Sequence, residues 1–149
     1  MQQAGPGGPS SHVDLFHAAS VGLAARVEGV LAGAELTLDQ WRVLRTLVER
    51  GPLSMTELAG LTRVTGPTLT RIVDRLVERS LLYRNVDAAD RRRVVVHAGD
   101  RGRALEGSLA PRIAEAERTG LAALSETETR TLRRLLERLA TDPEPHPAG

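Results

Sequence analysis

Apolar positions recur at helical spacing in six stretches of this chain, and one stretch is sharper than the rest. In TGPTLTRIVDRLVERSLL, residues 65–82, Leu69, Ile72, Val73 and Leu76 fall at i, i+3, i+4 and i+7 and form one apolar stripe. Thr65, Thr68, Thr70, Arg71 and Arg75 lie on other faces or around the first turn. Thr65 is placed to cap this helix, with Pro67 in the first turn, where its missing N–H costs nothing. Pro67 also steers the preceding residue away from the α region, which makes Gly66 the alternative cap. Such a helix has two readings. One is an ordinary amphipathic helix with a solvated polar face. The other is a recognition helix whose first turns meet base edges in the major groove of DNA.

The neighbouring elements decide between them. His12 to about Ala32 reads as a helix with Phe16, Ala19, Leu23, Val27 and Val30 on one side. Thr37-Leu38-Asp39-Gln40 is a capping-box pattern opening a helix to about Arg50, which Gly51-Pro52 ends. Ser54-Met55-Thr56-Glu57 is a second capping box, opening a short helix to Leu61 or Thr62. A tight connection then leads into the Thr65 helix, which makes the pair a helix-turn-helix. Leu81 to Val86 and Arg93 to His97 read as strands joined by the turn-like DAADRRR, a β-hairpin wing with Arg91, Arg92 and Arg93 at its tip. A long helix from Asp100 to about Ala123 contains Pro111, where a kink is expected. A third capping box, Ser125 to Glu128, opens a last helix to about Ala140 with Leu132, Leu135, Leu136 and Leu139 as its stripe.

The fold class is therefore mainly α with a small β-hairpin wing. The expected division is one domain over 12–140, with a winged helix-turn-helix lobe at about 36–98. Residues 12–34 and 100–140 are the surrounding helices. The Gly- and Pro-rich ends, 1–11 and 141–149, read as disordered tails.

Charge is distributed unevenly along this plan. All 20 basic residues are arginine, and the formal net charge is only +1. Residues 63–103 carry ten arginines against five acids, a net of +5, while the remainder is net negative. The wing and recognition helix are thus suited to a polyanion. With no cysteine, disulfides and thiolate metal sites are excluded. No P-loop, GxSxG or His-Glu zinc motif occurs, so neither an enzyme nor a metal or cofactor site is expected. His12, His17, His97 and His146 are scattered, as surface residues are. Aromatics are only Phe16, Trp41 and Tyr83, too few to stack single-stranded nucleic acid. No apolar run suggests a membrane span, and MQQAGPGGPSS lacks the regions of a secretory signal, so a cytoplasmic protein is expected.

The order helix, helix, helix-turn-helix, wing, long helix, last helix resembles the MarR family of winged-helix transcription regulators. The resemblance is carried by LTLDQWRVLRTL, TELA, TRIVDRLVERSLLYR and the wing DRRRVVV followed by Gly102. It implies a homodimer whose first, fifth and sixth helices pack against those of the partner. It also implies binding to a pseudo-palindromic operator in double-stranded DNA, usually as a repressor released by a ligand. By that resemblance Ser54 and Thr56 are backbone contacts, and Thr65, Gly66, Thr68, Thr70, Arg71 and Arg75 lie in or beside the major groove. Arg92 would enter the minor groove, helped by Arg91 and Arg93, with Asp90 orienting an arginine of the wing. The family places a ligand pocket between the dimer helices and the DNA-binding lobe. His17, Val21, Trp41 and Arg45 are its candidate lining here, suited to an aromatic, anionic small molecule. Trp41 as plain core with an exposed His17 is the alternative reading.

Two departures from the family stand out. Ser80 replaces a common glycine after the recognition helix, where a left-handed backbone is expected. Ala98-Gly99 replaces a Leu-Thr, losing a hydroxyl cap. The competing function is a winged helix used only for protein contacts. That use needs a large exposed apolar patch on the helix-turn-helix, which the polar face from Thr65 to Arg75 does not offer.

Overall fold

Three helix starts are set by reciprocal side-chain caps, each legible as an i, i+3 pair. In the computed structural model, which describes residues 11–141, Thr37 Oγ1 accepts from the Gln40 amide while Gln40 Oε1 accepts from that of Thr37, both at 3.1 Å. Ser54 with Glu57 and Ser125 with Glu128 repeat the arrangement. These caps satisfy amide groups that a helix cannot pair internally. The Ser125 amide and hydroxyl also hold the Glu128 carboxyl below the usual carboxylate pKa.

The elements are α1 (His12–Ala32), α2 (Leu38–Arg50), α3 (Met55–Thr62), α4 (Gly66–Glu78), β1 (Leu82–Val86), β2 (Val94–Ala98), α5 (Asp100–Gly120) and α6 (Glu126–Thr141). The expected tails, 1–11 and 141–149, lie outside the described residues except at Ser11 and Thr141, and His146 lies outside them too. At the two boundaries the expectation is corrected, because Ser11 caps α1 by accepting from the Asp14 amide and Thr141 ends α6.

α2, α3 and α4 pack around Val43, Leu44, Leu47, Leu58, Leu69, Ile72, Val73 and Leu76, all buried. The whole stripe read from α4 therefore faces inward. β1 and β2 form an antiparallel hairpin, Leu82 opposite Ala98 and Val86 opposite Val94. Leu53, between α2 and α3, exchanges two backbone hydrogen bonds with Val96 and so extends the hairpin by one bridge. Val27 and Leu31 of α1, and Leu109 and Ile113 of α5, close the same core.

Several boundaries differ from the sequence reading for local reasons. α4 stops at Glu78 because Ser80 takes φ 57°. The Ser80 amide then reaches the Val77 carbonyl and the Leu81 amide reaches that of Leu76, a Schellman turn. Leu81 is thereby spent on the helix end and is not in β1. Arg93 gives its amide to the Asp90 carbonyl, which places it in the turn and not in β2. α5 closes at Gly120 with bonds from Leu121 back to Glu117 and Arg118. It runs as one continuous helix through Pro111, which offers no N–H to the carbonyl of Gly107. α5 starts on Gly99 with no side-chain cap.

Because Ser80 holds a left-handed conformation in an exposed turn, Ser80→Gly is expected to stabilise the protein by up to ~1 kcal/mol. Urea denaturation of the two proteins checks this. A lower midpoint for the glycine variant would mean that the serine side chain does more for the turn than its backbone strain costs.

The expectation that no apolar run is long enough to span a membrane is corrected, on length and composition alone. By length and composition, α1 is apolar enough to cross a membrane. Its apolarity comes from alanines and scattered aliphatic residues around the helix, so no single uninterrupted run announces it. Only its last turns enter the core. Val13, Leu15, Phe16 and Val21 are half-exposed or more. α6 is more extreme, with no buried residue at all. Leu135, Leu136 and Leu139 are exposed, and Arg63 in the α3–α4 turn donates to the Ala140 carbonyl at 2.9 Å.

Candidate nucleic-acid interface

The first turn of α4 is open on its outer side. Thr65, Gly66, Thr68, Thr70, Arg71 and Arg75 are all exposed while the opposite stripe is buried. Thr65 is the cap by backbone geometry, yet no side-chain bond to an amide accompanies it; its hydroxyl instead donates to that of Thr68 at 3.2 Å. The amides of the first turn are therefore free of a side-chain cap and stay available to an acceptor outside the protein. Thr70 is less available, because its hydroxyl donates to the Gly66 carbonyl at 3.0 Å. Arg75 lies 3.5 Å from Glu78, a loose and exposed pair. Among the described residues, Arg71 has no acidic partner within ion-pairing distance.

Ser54 and Thr56 sit at the start of α3. The Ser54 oxygen accepts from the Glu57 amide, which leaves its O–H free to donate. Thr56 is exposed beside it.

The hairpin is held at two places. Arg84 of β1 meets Asp74 on the outer face of α4 at 2.5 Å. Arg93 makes a close ion pair with Glu57 of α3 and lies 3.9 Å from Asp87. The Arg93 guanidinium, with the Ser54 amide second, holds the Glu57 carboxyl at about 2, so this pair is fully ionised at any pH where the protein would work. Arg93 is therefore not at the wing tip. It folds back onto the helix-turn-helix. Arg91 and Arg92 alone of the three are exposed, with no acidic side chain within ion-pairing distance among the described residues. The Asp90 carboxylate accepts from the Arg92 backbone amide at 3.0 Å and makes no ion pair with a guanidinium among the described residues.

Sequence reasoning missed Glu57 and Asp74 as partners of the wing. Glu57 already has a complete local explanation as a capping residue, and Asp74 reads as a solvated acid on α4. Nothing local signals either contact.

The second candidate group is only partly brought together. Trp41 is buried, and the Arg45 guanidinium lies 5.2 Å from its ring centroid, within range of a cation–π contact. Arg45 also donates to Glu49 at 2.7 Å. The Trp41 indole N–H is buried with no acceptor among the described residues. An orphan donor of that kind costs about 1–3 kcal/mol. His17 and Val21 lie exposed on α1, and among the described residues no hydrogen bond or ion pair joins them to Trp41 or Arg45. A groove of about 880 Å³ lies elsewhere, between α1, α5 and α6, with Leu23, Leu121, Leu132 and Leu136 among its walls.

The profile of the MarR family matches residues 36–94, the helix-turn-helix and most of the wing. Among curated proteins, the chain is similar to the transcriptional regulator FarR of Neisseria gonorrhoeae, 36% identical over 76 residues. That match spans 51% of this chain and about half of FarR, 52% of its length. It is also similar to the transcriptional repressor NicR of Pseudomonas putida, 31% identical over 110 residues, which cover 74% of this chain and 70% of NicR. Among solved structures, BpsR of Bordetella bronchiseptica superposes with a TM-score of 0.81 at 26% identity. The superposition covers 92% of this chain and 99% of BpsR, whose DNA binding is regulated by 6-hydroxynicotinic acid.

Proposed function

Because the chain belongs to the MarR family, we propose that it is a homodimeric, sequence-specific regulator of transcription that binds a pseudo-palindromic operator in duplex DNA. The observation that carries this reading is the uncapped, polar first turn of α4 together with two exposed wing arginines that have no ion-pair partner among the described residues. Thr65, Gly66, Thr68 and Arg71 would enter the major groove, with Thr70 and Arg75 at its margin. Ser54 and Thr56 would contact phosphates, and Arg91 and Arg92 would reach the minor groove. The exposed polarity of α4 favours DNA over a purely protein-binding winged helix.

Support for the dimer comes from α1 and α6. The leucines of α6 and the apolar side of α1 are exposed in the single chain, and a groove between α1, α5 and α6 is lined by Leu23, Leu121, Leu132 and Leu136. In this division of labour residues 36–98 form the DNA-binding lobe, and 12–34 with 100–140 form the dimerisation region. Selection of bound sites from random duplex DNA tests the proposal. Recovered inverted repeats with half-sites about one duplex turn apart, ~34 Å, support it. Recovery of no consensus sequence rejects specific binding.

The regulator acts as a repressor released by an aromatic, anionic small molecule. The orphan Trp41 N–H and the Arg45 guanidinium above the same ring support this, since a carboxylate or phenolate oxygen could satisfy both. The likeness to BpsR and NicR points the same way. A ligand that releases DNA must prefer the non-binding conformation. Trp41 is the only tryptophan, so its emission reports the site directly. Titration with 6-hydroxynicotinate, salicylate and related phenolic acids is expected to change Trp41 emission and operator occupancy together. No change in either signal at millimolar concentration would remove the aromatic-acid effector and leave the DNA-binding proposal standing.

A further inference from the structure

We infer that Arg93 is a positioning residue for DNA binding and not a DNA ligand: paired with Glu57, it fixes the wing against α3 and neutralises a carboxylate that would otherwise face the phosphates. This rests on the DNA-binding reading above.

Two independent features of the structure lead here. The first is the location of Glu57. It stands in the first turn of α3 next to Ser54 and Thr56, and its carboxylate accepts from the Ser54 amide at 2.8 Å. An unpaired carboxylate at that point would repel the DNA backbone that Ser54 and Thr56 are placed to meet. Glu57 caps the helix and brings a negative charge to that point, and Arg93 balances it.

The second feature is the construction of the turn. The Arg93 amide donates to the Asp90 carbonyl at 3.0 Å, and its carbonyl accepts from the Asp87 amide at 2.8 Å. Asp87 and Asp90 hold the Ala89 and Arg92 amides with their carboxylates. Arg92 is therefore flanked by a residue whose backbone belongs to this small network and whose side chain is anchored on α3. Releasing Arg93 from Glu57 loosens the segment that presents Arg92. A swing of Arg93 onto a phosphate would gain one contact, lose this anchor and leave Glu57 bare.

The experiment is a double-mutant cycle on operator binding with Glu57→Gln, Arg93→Ala and the pair, in full-length protein, across a salt series. The glutamine side chain is uncharged but can still accept from the Ser54 amide, so the cap is retained. Arg93→Ala alone is expected to weaken binding about tenfold, within the range for coupled neighbours, with the salt slope unchanged. In the Glu57→Gln background the same change is expected to cost less than about twofold. Equal losses in both backgrounds, with the slope falling by about one, would make Arg93 a phosphate ligand and overturn the inference. So would an Arg93→Ala protein that binds as the parent does. Arg92→Ala is the control for the underlying reading. It is expected to lose affinity strongly with helicity intact. If it does not, the wing itself is not a DNA contact, a failure separate from that of the Glu57–Arg93 pair.

Discussion

Leu132→Glu combined with Leu136→Glu is expected to convert the protein to a monomer and to lower operator affinity by at least about a hundredfold. α6 has no buried residue in the single chain, yet Leu132, Leu135, Leu136 and Leu139 form one apolar stripe. Leu135, Leu136 and Leu139 keep 41%, 42% and 59% of their surface, too much for a helix that has found its final partner. α1 adds Val13, Leu15, Phe16 and Val21 as further exposed apolar side chains. Covering the residual area of each side chain contributes on the order of 1 kcal/mol, and two-fold symmetry counts each contribution twice. The gross gain is then about 10 kcal/mol or more, enough for a micromolar or tighter dimer after part of it is lost to association entropy. Two glutamates per copy in the 880 Å³ groove would put unpaired carboxylates into the interface. A monomer can engage only one half-site, which is why affinity falls with assembly. Sedimentation velocity and operator titration read the two effects, and circular dichroism checks that the lobe still folds. A double variant that remains a dimer at micromolar concentration would place the interface elsewhere.

The parts of this molecule that the sequence makes legible are those whose cause lies within one or two helical turns. The Thr37, Ser54 and Ser125 boxes pair residues three apart, and each forms the reciprocal bonds its spacing implies. The stripe Leu69, Ile72, Val73, Leu76 is buried because the helical period leaves one orientation that serves all four. The left-handed Ser80 is readable because a helix must stop before a strand begins, and a Schellman turn does it in the fewest residues.

Contacts between elements are where legibility ends. The sequence marks Arg91, Arg92 and Arg93 as equivalent, and the fold separates them, because Arg93 alone lies beside Glu57. Arg79 reads as one more surface charge, yet its guanidinium donates to the carbonyls of Ala34 and Glu35 and ties the α1–α2 turn to the end of α4. The Trp41 ring is recognisable as a landmark, but its unpaired N–H is a property of what happens not to surround it. For α1 and α6 the apolar periodicity is plain, yet the single chain leaves much of it exposed.

Gly102→Ala is expected to destabilise the protein by about 3 kcal/mol or more, the largest effect foreseen for any single added methyl group. Gly102 sits buried in the first turn of α5, where that helix meets the turn between α4 and β1. A Cβ there would lie 2.2 Å from the Leu81 carbonyl oxygen, 3.1 Å from its carbon and 3.0 Å from Leu44 Cδ1. The nearest atom is a backbone oxygen, so no rotamer change can relieve the clash. The Leu81 carbonyl also accepts from the Gly99 amide at 2.9 Å, and Leu81 closes the Schellman turn on Leu76. Moving it disturbs the end of the recognition helix, the start of β1 and the seating of α5 at once. Leu109 and Ile113, further along α5, would be levered out of the core they share with α1 and α2. Gly60→Ala in α3 is the matched control. Nothing lies within 4 Å of its Cβ position, and the residue is exposed. That change is expected to stabilise by about 0.5–1 kcal/mol through helix propensity alone. The same substitution is thus expected to change stability in opposite directions at two helical glycines, as read by urea denaturation at fixed protein concentration. A Gly102→Ala protein within about 1 kcal/mol of the parent would mean that α5 can lift from Leu81 at little cost. The helix would then be only loosely docked on the DNA-binding lobe.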